Sequence, residues 1–314
     1  MNYCNPYDDS LFNTAVRCGN LQVTKYLLER GATVDKLDEF LQLPLHIACS
    51  GKCIEMIEMI HDVTPSFLLQ TIDINGETPL DKACRYSTPQ VVQFLLSKGY
   101  SVTAPNGKNG ALISAILNMS MEYATAIVSM LLDAGANINH KNSKGNTALL
   151  TAIEKRGQAV RTEKEEAEFL NLCSTLINRG INVNAANHMN ETALHAAVNT
   201  QDERLVKKLI ASKSEVNCLD YRKFTPLFKA FMNGNKILVE LLINCGANPR
   251  AHIWKNYTSD NNDERNALIS FIIHKSMQCL TLQNMSEIAI RKNFMNVERL
   301  PLPPPIIKLL NLKD

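Results

Sequence analysis

The residues whose types and spacing come closest to a metal site are His46, Cys49 and Cys53. Imidazole and thiolate groups are ligands that zinc prefers, and a structural zinc site uses four of them with its cysteines in close pairs. The two cysteines here stand four positions apart, and the sequence supplies no CxxC pair beside them. The pattern therefore favours structural roles over metal binding, and we expect no metal and no cofactor.

Motifs for enzymatic chemistry are missing from the sequence. There is no GxxxxGK[ST] phosphate loop, no GxGxxG turn and no GxSxG nucleophile elbow. The acidic residues are spread along the chain and do not form the pairs used in acid–base catalysis. We therefore expect a protein that is not an enzyme and has no catalytic residue.

The composition restricts the partners and the compartment. The 314 residues are 45% hydrophobic and 20% charged, and the net charge of +2 gives no electrostatic reason to expect nucleic acid or a membrane surface. No run of eighteen apolar residues predicts a membrane span, and MNYCNPYDDS does not resemble a secretion signal. Nine scattered cysteines favour a reducing compartment, so we expect the cytoplasm, with the nucleus left open.

The chain repeats itself with a period of about 33 residues. Clear copies begin at Leu43 (LPLHIACSGKCIEMIEMI), Thr78 (TPLDKACRYSTPQVVQFLLSKG), Thr192 and Thr225, and weaker copies begin at Ser10, Gly110 and Thr147. Successive starts differ by 33, 35, 32, 37, 45 and 33 positions. The copies are therefore contiguous apart from insertions.

Each copy has the pattern of two short helices. In the third copy Thr78 can cap a helix, Pro79 suits the first helical position, and the small Ala83 lets a second helix approach. Apolar residues at helical spacing then predict that second helix: Val91, Val92, Leu95 and Leu96. It should end at Gly99, which adopts a left-handed conformation at little cost.

These TPLH-like starts, LLxxGA-like ends and the period make residues 8–250 resemble seven ankyrin repeats, with the first helix of an eighth at 266–271. The resemblance implies an all-α solenoid in which each repeat buries its apolar face against its neighbours, and a groove that binds proteins. It also places His46 and His195 where the ring hydrogen-bonds backbone between neighbouring repeats.

Three features of the repeats each allow two interpretations. The fifth repeat has about a dozen extra residues around 158–166, which form either a longer solvated helix and loop or a projection that contacts a partner. The only tryptophan, Trp254, serves either as an interface anchor or as packing for its own domain. The pairs Ile138-Asn139, Val183-Asn184 and Val216-Asn217 either serve the turns between repeats or resemble sites of an asparaginyl hydroxylase, with Asn217 the best match.

The carboxyl-terminal region has two further patterns. Leu282, Ser286 and Ile290 lie at i, i+4 and i+8, on one face of a predicted helix, which taken alone favours a core helix closing the stack. The segment ERLPLPPPIIKLL follows within a few residues. Its prolines fix an extended backbone, so less entropy is lost when the segment docks on a partner.

In this order, after ankyrin repeats, the two patterns resemble a SOCS box. Thr281-Leu282 opens the family's first motif, Ser286 stands where cysteine is usual, and Ile290-Arg291 completes it. The resemblance implies elongin B/C contacts through Leu282, Met285, Ser286, Ile290 and Arg291. It implies contacts with a cullin through Leu300, Pro301, Leu302, Pro303 and Ile306.

The chain as a whole resembles the ankyrin repeat and SOCS box family, which implies an ankyrin array over 1–275 and a SOCS-box-like helical module over 276–314. The implied function is a non-catalytic adaptor that binds a target protein and recruits an elongin B/C–cullin–RING ubiquitin ligase. Two alternatives stay open: a plain ankyrin scaffold with a carboxyl-terminal cap, and an F-box-like module that recruits another ligase adaptor. Solvent exposure of Leu282 and Leu302 would favour docking, and burial would favour the cap.

Overall fold

The computed structural model describes residues 10–103, 110–118, 121–156, 162–252, 254 and 264–276. Regular structure in these ranges is helical, as the sequence predicted, and they contain no strand. None of the helices described there is long and apolar enough to span a membrane. The chain divides into two compact units, Met1–Lys223 and Phe224–Asp314, which are described separately below.

The described residues of unit 1 form six pairs of helices, one pair for each of the first six predicted repeats. The pairs are α1 (Leu11–Arg17) with α2 (Leu21–Glu29), α3 (Pro44–Cys49) with α4 (Ile54–Val63), α5 (Pro79–Tyr86) with α6 (Pro89–Ser97), α7 (Gly110–Ile116) with α8 (Met121–Asp133), α9 (Ala148–Arg156) with α10 (Glu163–Asn178), and α11 (Ala193–Asn199) with α12 (Glu203–Ala211). A short 3₁₀ helix, Ser66–Leu68, follows α4.

The helices of unit 1 stack in two rows. The first helices of successive pairs contact one another from α1 through α3, α5, α7 and α9 to α11, and the second helices contact one another at α2 with α4 and from α6 through α8 to α10. Neighbouring pairs thus bury apolar faces against one another, which is the mode of stabilisation of a repeat array. The small Ala83, fully buried on α5, permits the predicted close approach.

Three of the predicted repeat starts cap the helices that follow them. The hydroxyls of Ser10, Thr78 and Thr225 each accept a hydrogen bond from the backbone amide three residues later, at 3.0, 3.2 and 3.1 Å. Such caps satisfy an amide at the helix start that has no partner within the helix. At the other end of the third pair, Gly99 has a φ of +81°, the left-handed conformation that the sequence predicted.

The insertion in the fifth repeat lengthens a helix. The helix α10 has 16 residues and begins with a capping box in which Thr162 and Glu165 bond to each other's backbone amides. Glu166 on its first turn forms an ion pair with Arg156 at 2.7 Å, and Arg156 also pairs with Asp202 at 2.8 Å. This part of the insertion is therefore fixed against repeats five and six, while residues 157–161 lie outside the described ranges.

Unit 2 contains α13 (Pro226–Met232), α14 (Lys236–Asn244) and a further helix over 264–276, which includes the predicted start of an eighth repeat. Trp254 packs within this unit: it is 5% exposed, its indole N–H donates to the Pro249 carbonyl, and its ring meets Phe231 edge-on at 5.1 Å. The interpretation of Trp254 as packing for its own domain is confirmed. The predicted domain boundary between 275 and 276 adjoins the end of the described residues and stays a prediction.

Candidate protein-interaction surface

The predicted ligase contacts lie outside the described residues. They are Leu282, Met285, Ser286, Ile290 and Arg291 for elongin, and Leu300, Pro301, Leu302, Pro303 and Ile306 for the cullin. Their roles and their exposure stay predictions. The described residues do show a series of structured turns that precede the helix pairs.

Five described turns have the same construction, and we call them the tip loops: residues 37–42, 72–77, 141–146, 186–191 and 219–223. Each contains an Asp or Asn whose Oδ1 accepts the amide of the second residue after it, at 2.8–2.9 Å, and the first four also accept a second amide. These residues are Asp38, Asp73, Asn142, Asn187 and Asp220. A short side chain that bonds the backbone ahead of it holds a tight turn.

The third position after each of these residues has a positive φ. It is occupied by Leu41 (φ 56°), Gly76 (73°), Gly145 (79°), Asn190 (53°) and Lys223 (64°). Glycine suits this left-handed conformation, and asparagine tolerates it, whereas a branched residue such as leucine adopts it at a cost of about 1–2 kcal/mol. Leu41 is 47% exposed, so burial of its side chain does not offset this conformational cost.

Neighbouring tip loops are joined by backbone hydrogen bonds. Ile74 N–H donates to Phe40 O at 3.0 Å, His188 N–H to Lys144 O at 3.1 Å, and Tyr221 N–H to Met189 O at 2.9 Å. The side chains around these bonds therefore project from a backbone that is fixed on both sides. A preordered surface of this kind loses little entropy when a partner binds.

A buried ion cluster supports the loop 72–77. Lys82 Nζ lies 2.7 Å from Asp73 Oδ2 and 2.9 Å from Glu77 Oε2, and Arg85 pairs with Glu77 at 2.7 Å. Burial alone would raise the pKa of the Asp73 carboxyl, but hydrogen bonds from Lys82 and the Glu77 amide hold it below its usual value. Asp73 thus organises its turn with one oxygen and binds the Lys82 ammonium with the other.

The predicted role of His46 is confirmed by its hydrogen bonds. Its Nδ1 accepts the Leu43 amide at 3.2 Å and its Nε2 lies 3.1 Å from Thr71 O, just before the next tip loop. Burial lowers the pKa of His46, consistent with a neutral ring donating from Nε2. His195 is also buried, and its Nδ1 accepts the Thr192 amide at 3.3 Å. Both rings therefore hold the starts of first helices.

His46 and Cys49 do not offer the free donor atoms that a zinc ion would need. Both nitrogens of His46 are engaged with backbone, and Cys49 is fully buried, which raises the pKa of its thiol far above the ordinary value. Among the residues that the structure describes, there is no group of three or more His, Cys, Asp or Glu side chains able to hold a metal ion.

The apolar–Asn pairs serve turns between repeats at two positions. Asn139 Oδ1 accepts the Asn182 amide at 2.8 Å, which links the fourth repeat to the fifth. Asn184 Oδ1 accepts the Glu215 amide at 2.8 Å, and its Nδ2 donates to Lys213 O at 3.2 Å, which links the fifth to the sixth. The structural interpretation of Asn139 and Asn184 is confirmed, and hydroxylation of Asn217 is untested.

A family model described as ankyrin repeats matches the sequence three times, over residues 11–106, 116–220 and 158–253. The chain belongs to the ankyrin-repeat family. The caps, the paired helices and the tip loops are thus parts of a repeat that serves protein–protein interaction.

Curated relatives share only segments with this ankyrin array. The Drosophila melanogaster transient receptor potential cation channel subfamily A member 1 is 24% identical over 149 residues, 46% of this chain and 12% of that protein. The mouse B-cell lymphoma 3 protein homolog is 29% identical over 134 residues, 41% and 29%. Mouse ankyrin repeat and SOCS box protein 11 is 31% identical over 127 residues, 38% and 35%. The chain therefore spans between about one eighth and about one third of these relatives.

Two solved ankyrin domains share the fold. The ankyrin repeat domain of human ASB11 superposes with a TM-score of 0.62 at 18% identity, covering 76% of this chain and 99% of that one. The ankyrin repeat domain of Bcl-3, a member of the IkappaB family, gives 0.58 at 24% identity, covering 75% and 98%. At these identities the likeness concerns the fold alone.

The tip loops were missed by the sequence analysis, although the sequence contains a pattern that marks them. An Asp or Asn stands five positions before each of the starts Leu43, Thr78, Thr147, Thr192 and Thr225. The four residues between that side chain and the start of each copy differ from loop to loop, so the helices show the repeat more clearly than the loops do.

Proposed function

We propose that the chain is a substrate-recognition adaptor of an elongin B/C–cullin–RING ubiquitin ligase. The observation that carries the proposal is the order of its parts: ankyrin repeats, then the TL…S…IR pattern from Thr281, then the LPLP segment from Leu300. The 31% identity to mouse ankyrin repeat and SOCS box protein 11 supports it.

In this proposal the two parts of the chain have separate tasks. The ankyrin repeats bind the target protein, and the carboxyl-terminal segment binds elongin B/C through Leu282, Met285, Ser286, Ile290 and Arg291. The segment from Leu300 to Ile306 contacts the cullin. The chain itself supplies no reacting group; it holds the target near the ubiquitin donor, and proximity of this kind turns an intermolecular transfer into an effectively intramolecular one.

The test is co-purification of the full chain with elongin B/C, beside the variant Leu282→Asp. A charge placed at the apolar anchor should abolish the association, because burying a leucine contributes about 1.5–3 kcal/mol and burying an unpaired carboxylate opposes binding. Leu219→Asp, which changes an exposed leucine of a tip loop, is the matched control and should co-purify like wild type.

Failure of the wild-type chain to bring down elongin B/C would overturn the proposal. Leu302→Asp separates the two ligase contacts: it should leave elongin bound and weaken cullin binding by at least tenfold. If Leu302→Asp instead lowers the thermal stability of the chain and changes neither association, the segment caps the repeats, and the chain is a plain ankyrin scaffold.

A further inference from the structure

Two tip loops of the second and third repeats expose apolar side chains. Phe40, Leu41 and Ile74 are 46%, 47% and 54% exposed at the ends of these turns, and Leu37 and Ile72 are exposed beside them. In these two fully described loops, Glu39 is the one exposed charged residue. We call the loops 37–42 and 72–77 the apolar tips. Solvent-facing leucine and phenylalanine serve neither the turn nor the core, and clusters of this kind mark sites of protein contact.

The conformation of Leu41 strengthens this interpretation. Its left-handed φ of 56° is one that the equivalent positions of two other tip loops assign to glycine, at Gly76 and Gly145. A strained residue whose side chain faces solvent points to a role outside the fold, since strain persists where function requires the side chain.

The later tip loops expose cations. In loops 141–146, 186–191 and 219–223, which are fully described, the exposed charged side chains are Lys141, Lys144, Arg222 and Lys223, and no carboxylate is exposed. We call these loops the basic tips. Exposed Met189, Leu219 and Tyr221 lie among the cations, and the Arg222 guanidinium lies 5.1 Å from the Tyr221 ring.

The two groups belong to one unit and are built on the same backbone turn. Within each group the tips are tied by the bonds from Ile74 to Phe40, from His188 to Lys144 and from Tyr221 to Met189. Because the five loops repeat the same turn within unit 1, a single extended partner can lie across several of them.

We propose that the tip loops of unit 1 form a docking surface for an acidic polypeptide segment that also carries aromatic or aliphatic side chains. Its apolar residues bind at the apolar tips, and its carboxylates bind at the basic tips. This inference rests on the target-binding half of the proposed function and names the chemistry of the target. Opposite charge guides the approach and fixes the orientation, while apolar contact contributes most of the affinity.

Nucleic acid is the alternative ligand for the basic tips. Four exposed cations in three loops, a net charge of +2 for the whole chain, and apolar neighbouring tips favour a polypeptide. Binding of a 20-nucleotide DNA, compared with binding of a selected peptide, tests this alternative.

The experiment selects ligands for the full-length chain from a display library of random 16-residue peptides. Three baits are compared: wild type, the charge-reversed variant K144E/R222E/K223E, and the polar variant F40S/I74S. Wild type should enrich peptides with net negative charge and with aromatic or aliphatic residues. The charge-reversed bait should lose the acidic preference, and the polar bait should lose the apolar preference.

The best peptide from the wild-type selection is then measured by fluorescence anisotropy. Each tip variant should weaken binding at least tenfold. Raising NaCl from 50 to 300 mM should weaken binding to wild type severalfold, because salt screens the ion pairs with the basic tips. The effect on K144E/R222E/K223E should be smaller, because this variant lacks those ion pairs.

Matched controls carry the same changes on second helices, away from the tips. K25E/K164E/K207E reverses three exposed lysines and produces the same change in net charge. Y26S/V63S removes an exposed aromatic and an exposed aliphatic side chain. Both controls should bind the selected peptide within twofold of wild type, and all variants should keep the thermal unfolding midpoint within about 3 °C of wild type.

Several results would overturn the inference: no enrichment with wild type, enrichment of peptides without net negative charge, equal weakening by control and tip variants, or tighter binding of a 20-nucleotide DNA than of the selected peptide. Elongin B/C co-purification distinguishes this failure from failure of the proposed ligase role. The tip variants should retain elongin. Loss of peptide selection with elongin retained overturns the docking surface alone, whereas normal selection without elongin overturns the ligase role alone.

Discussion

The apolar tips and the basic tips have the same turn and different surfaces. Asp38 in an apolar tip and Asn187 in a basic tip each accept two backbone amides with one side-chain oxygen, at 2.8–3.0 Å. Yet the residues two positions later are Phe40 in one and Met189 in the other, and the left-handed position holds Leu41 or Asn190. One polar side chain therefore determines the turn, while its neighbours are available for recognition.

This comparison separates the residues that hold a repeat from those that distinguish it. Caps, buried ions and the Asp or Asn of each turn are satisfied inside the fold, where an unpaired polar group costs about 1–3 kcal/mol. The tip side chains are exposed to solvent. Changes to the first group should alter stability, and changes to the second should alter binding.

The largest expected effect on stability is at Lys82, behind an apolar tip. Lys82→Met leaves Asp73 and Glu77 buried without the ammonium between them, and breaking a buried pair in this way costs about 3–5 kcal/mol. Urea unfolding should show a decrease of at least 3 kcal/mol. Lys207→Met, at a lysine exposed on α12, should change the unfolding free energy by less than about 0.5 kcal/mol. A small effect at Lys82 would show that the tip does not depend on the ion cluster.

The second largest expected effect is a pH dependence of the unfolding free energy, and it depends on Asp81, the third residue of α5. Burial, assisted by the nearby carboxylates of Glu77 and Asp73 and opposed by hydrogen bonds from Thr78, raises the pKa of Asp81 from 3.8 to about 6. The folded chain keeps this proton up to about pH 6, whereas the unfolded chain releases it near pH 4. The contribution of Asp81 to stability therefore falls as pH rises between these values.

Asp81→Asn should remove that decrease. The variant should gain unfolding free energy relative to wild type as pH rises from 4 to 7, by at most about 3 kcal/mol, because two pKa units correspond to about that energy. Denaturation at pH 4, 5, 6 and 7 measures the difference. A difference that is constant across this range would show that Asp81 ionises normally in the folded chain.

The smallest effect compares one backbone position in the two groups of tips. Leu41→Gly and Lys223→Gly both relieve a left-handed non-glycine residue, so each should stabilise the chain by about 0.5–1 kcal/mol after the greater entropy of the unfolded glycine is counted. Thermal unfolding measures both. The variants should differ in binding: Leu41→Gly removes an apolar contact and Lys223→Gly removes a charge, so only the second should reduce the salt dependence of peptide binding.

The helices were predictable because their determinants are local. Thr78 as a cap, Pro79 at the first helical position, and Gly99 after a second helix each act within a few residues, and each appears at its predicted place. The role of His46 was predictable through the recurring pattern around it. The packing of Trp254 against Phe231 and the pairing of Arg156 with Glu166 and Asp202 were not, because each joins residues from different elements.

The sequence by itself determined the period, the helix pairs, their caps and the family of the array, since each repeat contains the information for its own turn and helices. The tertiary structure alone decided which side chains remain in solvent. Phe40 and Leu41 look in sequence like core residues, yet they project from a turn, whereas the charged Lys82 is buried between two carboxylates. Burial depends on the neighbouring repeats that stack on each element, and that is a property of the assembled array.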